Sequence, residues 1–256
     1  MLAIIGRSLY DQSKIFCGDQ REPLAGANTI MLLTALRSPV KQKAKDVIMV
    51  GTRQFDHDTV VDRAMMLFWR RGYGGTSIQD LEKATRLRRG SLYNAFGDKQ
   101  GLFVAALKRY ETTVGHERIK QLSNPDPYRA IEGFLETLVT QMSEPSRPRG
   151  CLHTNTSLEF PNAPEEVLRI IAERTAGIEG ATYVVLRRAQ AEGLLDPAAD
   201  ARAVARFYLG IAKGITVLHK MFGDASALRD IVKIAMSKWP YPERKRASAS
   251  KRDLRS

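Results

Sequence analysis

Cysteine is all but missing from this chain: Cys17 and Cys151 stand far apart among 256 residues. Two thiols in stretches of different character make no disulfide framework, and they suit a reducing compartment. Long apolar runs are missing as well. The longest near the start, "IMLLTAL" (Ile30–Leu36), falls well short of the roughly 20 residues of a membrane span. It begins too deep for a secretory signal and lacks a small-residue cleavage pattern. A cytoplasmic protein with no membrane partner is the expectation. The marks of catalysis are absent too, since no Gly-rich phosphate loop and no nucleophile elbow occurs. His57, His116, His153 and His219 lack metal-ligand spacing, and Cys151 and His153, two apart, fall on different faces of a helix. Glu159, Glu165 and Glu166 read as helix-start charges rather than an acid/base pair. No metal, no cofactor and no enzymatic activity are expected.

What the chain does have is positive charge, unevenly spread. The formal net charge is +12. Residues 51–120 carry 13 basic against 8 acidic side chains, residues 121–239 carry 14 of each, and both ends are basic. A basic block beside a neutral one suggests one part for a polyanion and another for something else.

Residues 1–50 show no sustained period and read as a disordered extension. The structured pattern begins just after Met49, so a segment that is not translated is the second reading of the same stretch. Beyond it the pattern is helical almost throughout, and no strand-and-hairpin pattern appears, which makes the fold class all-α. Val60, Ala64 and Phe68, with Val61, Met65 and Trp69, form an apolar stripe ended by "GYGG". Thr76 or Ser77 caps a second helix, a turn follows near Arg86, and a short helix runs from about Arg88 to Ala95. Asp98 caps a longer fourth helix. The spacing predicts further helices through Val139, around "CLHTNTSLEF", and over about 163–192, 199–220 and 225–238. A helix-turn-helix domain over 54–114, a second helical domain over 115–239 and a basic disordered tail over 240–256 are the expected divisions.

The pair of short helices raises the functional question. Leu87 and Leu92 anchor the second helix from inside, which leaves Arg88, Arg89, Ser91 and Asn94 outward, with Gly90 allowing close approach. Such a helix fits the major groove of DNA, where arginine pairs with guanine and asparagine with adenine, while the Tyr93 hydroxyl can reach a phosphate. Helix starts at Ser77 and Lys99 offer backbone amides to phosphates. A solvated face on a core helical pair is the plainer alternative.

The run "AMMLFWRRGYGGTSIQDLEKATRLRRGSLYNAFGDKQGLF" (Ala64–Phe103) resembles the amino-terminal DNA-binding domain of the TetR family of bacterial transcriptional regulators. The helix ending in "GY", the "TSIQDL" start, the "GSLYNAF" recognition segment and the "GDKQGLF" entry match in order and spacing, over about residues 57–107. The resemblance implies groove and phosphate contacts at Ser91, Tyr93 and Asn94, and a backbone grip at Thr76 and Lys99. It departs at Arg86, where the family's turn usually has glycine, and at Arg88, where the recognition helix often starts on Ser or Thr.

The resemblance further implies a helical carboxy-terminal domain that dimerises and often encloses a small-molecule pocket. "RGCLHTN" followed by "LEF" is similar to a subgroup having "GCL" there. Near-heptad spacing at Val167, Ile171, Ile178, Val185 and Ala189 meets a second stripe of Val204, Tyr208, Ile211, Ile215 and Leu218. With Gly210 and Gly214 one turn apart, these helices suit a four-helix interface between two copies; filling each protomer's own core is the other reading. Cys151, at a helix start, is a candidate effector or redox sensor, because a helix dipole lowers a thiol's pKa. A small buried residue lining the pocket is the plainer reading of it. The expected function is a dimeric repressor that binds double-stranded operator DNA and is released by a small-molecule or electrophile effector. A ligand-independent activator or architectural DNA binder stands as the alternative, and a helical enzyme for an acidic substrate as a more distant one.

Overall fold

The computed structural model describes residues 56–242, which fall within one compact unit, Arg53–Ser256. The expectations for residues 1–50 and for the tail beyond Pro242 lie outside the described residues. Among the described residues every regular element is a helix, in the order α1 His57–Arg71, α2 Ile78–Thr85, α3 Arg89–Phe96, α4 Lys99–Tyr110, α5 His116–Gln121, α6 Pro127–Met142, α7 Leu152–Glu159, α8 Glu165–Ala191, α9 Ala201–Phe222 and α10 Ala225–Ser237. None is long and apolar enough to cross a membrane.

The boundaries follow from capping chemistry. Asp56, Asp98, Asp126, Asp200 and Asp224 each turn a carboxylate onto first-turn amides. Ser77 and Asp80 form a reciprocal capping box at the start of α2. The α2–α3 turn is made by Arg86 in the left-handed region, φ 62° and ψ 22°, with its amide donating to the Glu82 carbonyl at 2.9 Å. An L-residue there costs about 1–2 kcal/mol. The family's turn is thus kept without its glycine, and the strain stays in the backbone. Arg86→Gly is expected to raise stability by about 0.5–1 kcal/mol, because glycine removes the strain but loosens the unfolded chain. A lower urea midpoint for the variant would mean that the arginine side chain contributes more than its backbone costs.

Two buried clusters hold the helices together. One joins α6, the second half of α8, α9 and α10 around Phe134, Leu135, Leu186, Tyr208 and Trp239. The other joins α1 to α4 around Phe68, Leu81, Leu92, Phe103 and Leu107, and it continues through Cys151, Leu152, Val167 and Ile171 of the α7–α8 region. The core of the first four helices therefore crosses the expected boundary at residue 114. Between α4 and α5 the chain makes one wide π-helical turn, Glu111–Gly115. Residues 240–242, which the sequence assigned to the tail, pack onto the body instead. The Pro240 carbonyl accepts from the Asp196 amide at 2.9 Å, and Tyr241 stacks on Tyr128.

Candidate nucleic-acid interface and adjoining cavity

The short helix α3 cannot hold itself, at only eight residues. Leu92, 2 % exposed, is its inward anchor, and Leu87, Tyr93 and Phe96 pack partly against the same cluster. Phe96 meets the His57 ring at 4.9 Å, which ties the end of α3 to the start of α1. At its other end the Arg89 amide donates to the Glu82 carboxylate at 2.6 Å. Sequence spacing gave no hint of Glu82, because only the turn brings α2 and α3 together. So fixed, α3 turns Arg88, Arg89, Gly90, Ser91 and Asn94 to solvent. The Arg89 guanidinium lies over the Tyr93 ring at 5.0 Å, which pre-orients both.

Three expected contacts sit otherwise. Thr76 is 1 % exposed and its hydroxyl donates to the Gly72 carbonyl at 2.7 Å, so that side chain is spent on the α1–α2 connection and is out of reach of a phosphate. Ser77 is exposed, but its amide and hydroxyl both donate to Asp80, at 3.0 and 2.7 Å. The Ser77 hydroxyl and amide, with Arg71 at 2.9 Å, hold the Asp80 carboxyl down at about 2. A fixed negative charge thus guards that helix start. Lys99 is half-buried, with its ammonium 4.1 Å above the Tyr73 ring, and burial pushes its pKa below the ordinary lysine value.

Behind this unit lies a pocket that opens to solvent, with about 500 Å³ of non-atom space when the open solvent is counted. Tyr110, Glu111, Arg118, Cys151, Lys213 and the apolar Phe134 are among its walls. Gly150, at φ 76°, turns the chain into α7, and a Cβ there would meet the Asn155 amide oxygen at 2.5 Å. Its own amide donates to His219 Nδ1 at 3.0 Å. Cys151 follows as the N-cap, 7 % exposed. Burial pushes its thiol up, but the Arg118 guanidinium, the Tyr110 hydroxyl, the Thr154 amide and the Lys213 ammonium outweigh that and hold it at about 7. His153 contacts the Leu107 carbonyl at 3.2 Å, and burial lowers it to about 4, so it is neutral and joins α7 to α4. Among the described residues no group of three or more potential ligands could hold a metal ion. Sequence reading passed over Arg118, Thr154, Arg174 and Lys213. Lys213 alone left a trace, as one charge inside the apolar run "GIAKGITVL".

The residues expected at a dimer interface divide. Val185, Tyr208 and Ile215 are 2 %, 1 % and 0 % exposed and fill the protomer's own core, so they are not available to a second copy. Gly210 and Gly214 are open, with nothing within 4 Å of an added Cβ, and Ile211 and Leu218 are half-buried. Beside them Phe207, Met221 and, on α8, Val184 are exposed.

The chain matches two family models. One, "Bacterial regulatory proteins, tetR family", covers residues 60–106, and the other, "Tetracyclin repressor-like, C-terminal domain", covers residues 127–235. An uncharacterized HTH-type transcriptional regulator, YezE of Bacillus subtilis (strain 168), is 31% identical over 188 residues, spanning 72% of this chain and 96% of its own. The HTH-type transcriptional repressor ComR of Escherichia coli (strain K12) is 28% identical over 188 residues, spanning 73% and 90%. Among solved structures, a cysteine mutant of the TetR family transcriptional regulator CifR, complexed with 26-bp double-strand operator DNA, superposes with a TM-score of 0.67. It is 32% identical and covers 73% of this chain and 98% of that one.

Proposed function

Because this chain belongs to the TetR family of DNA-binding transcriptional regulators, which are not enzymes, we propose that it is a dimeric repressor whose effector enters the cavity beside Cys151. The observation that carries the DNA-binding part is the outward face of α3. Arginines, a serine and an asparagine stand free there on a helix whose opposite side is pinned by Leu92. Arg88 and Arg89 take phosphates or guanine edges, Ser91 a phosphate, and Asn94 an adenine edge. Tyr93 and Lys99 are half-buried, Tyr93 beneath the Arg89 guanidinium and Lys99 over the Tyr73 ring. The similarity to the repressor ComR and to the CifR variant bound to operator DNA supports this reading.

Two copies are needed, since such units read half-sites one helical turn apart or multiples of that. Gly210, Ile211, Gly214 and Leu218, with exposed Phe207 and Val184, supply an apolar and closely approachable α8–α9 face for the second copy. The effector then acts by favouring a different spacing of the two reading heads, for which a few kcal/mol of differential affinity suffices. The route from cavity to DNA is α4, which contributes Tyr110 to the cavity at one end and Lys99 near the recognition unit at the other.

The test is a gel shift with the upstream intergenic DNA, titrated with candidate effectors, together with a reporter that reads the sign of regulation. Increased transcription on deleting the gene is the expected sign for a repressor. If the Cys151 thiolate is the point of attack for an electrophile, Cys151→Ser still binds the DNA but no longer leaves it when the electrophile is added. Unchanged release from the serine variant removes the covalent route.

A further inference from the structure

The cavity has a charge its own walls do not balance. Arg118, Arg174 and Lys213 face it, and the carboxylate among its lining residues, Glu111, is already taken by Arg174 at 2.6 Å. His153 is neutral there and Tyr110 keeps its proton, since burial raises it. The groups acting on the Lys213 charge are Cys151, Arg118 and Arg174, with no carboxylate among them. Buried Arg118 and half-buried Lys213 thus share one partly ionised thiol.

The hydrogen-bonding capacity is unfilled in the same place. Arg118 is 9 % exposed, and one guanidinium nitrogen donates to the Tyr110 hydroxyl at 3.1 Å. Its Nε has no partner among the described residues, and neither has the hydroxyl of Thr154, which is 6 % exposed. Buried donors left so are costly, and a buried guanidinium without a carboxylate more so. Chains keep such groups where something else completes them. Opposite the cations the wall is apolar, with Phe134, Leu138 and Ile178.

We propose that this cavity takes a small organic anion, a monocarboxylate with an apolar body, whose carboxylate is gripped by Arg118 and Lys213 and assisted by the Thr154 hydroxyl. The fork of an arginine matches a carboxylate in two hydrogen bonds, and the lysine adds a point charge. The apolar body lies along Phe134, Leu138 and Ile178. The proposal names the chemical class of the effector and so rests on the effector reading above. The competing account is that the Cys151 thiolate is the permanent counter-ion, in which case no anion enters.

The test uses the full chain with benzoate and hexanoate as probes, benzamide and hexanamide as their neutral counterparts, and matched ionic strength. Calorimetric titration is expected to show each acid binding at least ten-fold more tightly than its amide. Lys213→Met and Arg118→Met are expected to lose at least ten-fold of acid binding while the weak binding of the amides stays. Lys213→Met without ligand is expected to melt above the parent protein, because a half-buried cation with no carboxylate partner has been removed. That readout does not depend on the choice of acid. Acids that bind no better than amides, variants that bind benzoate like the parent, or a Lys213→Met that melts lower each overturn the proposal. A gel shift with the upstream DNA separates it from the effector reading. Acid binding that leaves DNA affinity unchanged keeps the anion site and removes the effector role; DNA release by the amides without acid preference does the reverse.

Discussion

Alanine at both Arg89 and Asn94 is expected to weaken binding to the natural operator by roughly 30-fold to 10⁴-fold, with no loss of thermal stability. Each good bidentate contact to a base discriminates by about 1–3 kcal/mol, and every 1.4 kcal/mol is about ten-fold. The stability half of the expectation comes from the fold. Both side chains are exposed, and α3 is held by Leu92, by the Phe96–His57 contact and by the Arg89 main-chain amide on Glu82, which alanine keeps. Tyr93 is a poorer probe, since its ring packs partly on the core and its removal mixes scaffold and contact. Fluorescence anisotropy with the promoter duplex and with a scrambled duplex reads the two parts separately. Loss on the promoter alone means base contacts. Equal loss on both means phosphate contacts, and then the slope of affinity against salt falls by about 0.9 for each contact removed. Promoter affinity unchanged in the double variant would take α3 out of the groove.

The recognition unit was legible in the sequence because its signals are local. "TSIQD" carries both halves of a capping box, Asp98 stands three residues before Gly101, and Leu92 is the first apolar residue after the polar start of α3. Thr76 misled because a threonine before a helix start suits a cap, a phosphate contact or a bond back into the previous turn; only the fold shows that Gly72 takes it. The long helices misled for a different reason. On α9 the residues Tyr208, Ala212, Ile215 and His219 face inward, while Phe207, Gly210, Gly214 and Met221 face out, and both stripes are largely apolar. A period of 3.6 then identifies the helix and leaves its buried side undecided. The cavity was least legible. Its walls come from α4, the π-helical turn, α5, α6, α7, α8 and α9, and spacing along the chain carries no trace of that meeting. Arg118, in "HERIKQ", looks like any solvated arginine until the fold buries it.

Phe68→Ala is expected to cost about 3–5 kcal/mol and to lower one melting transition of the whole described unit, by roughly 6–20 °C. Phe68 is 0 % exposed and meets Phe103 edge-on at 4.9 Å, in the centre of the cluster that joins α1 to α4. That cluster does not stop at the end of α4. Cys151, Leu152, Val167 and Ile171 belong to it, and Tyr73, beside Phe68, stacks on Phe160 at 4.8 Å. Arg109 also clamps α4 to α1 through both oxygens of Asp62, at 2.7 and 2.9 Å. A helix-turn-helix that shared no core with the cavity could melt alone and would leave the cavity nothing to push against. On the proposed route, displacement of α7 or of the Glu111–Arg174 pair is passed to α4, which packs closely on α1. The Phe68 variant separates these cases. Calorimetry showing one transition, lowered as a whole, supports mechanical continuity between cavity and α3. Two transitions, with only the first lowered, would mean that the reading unit melts independently, and the α4 route would then fail.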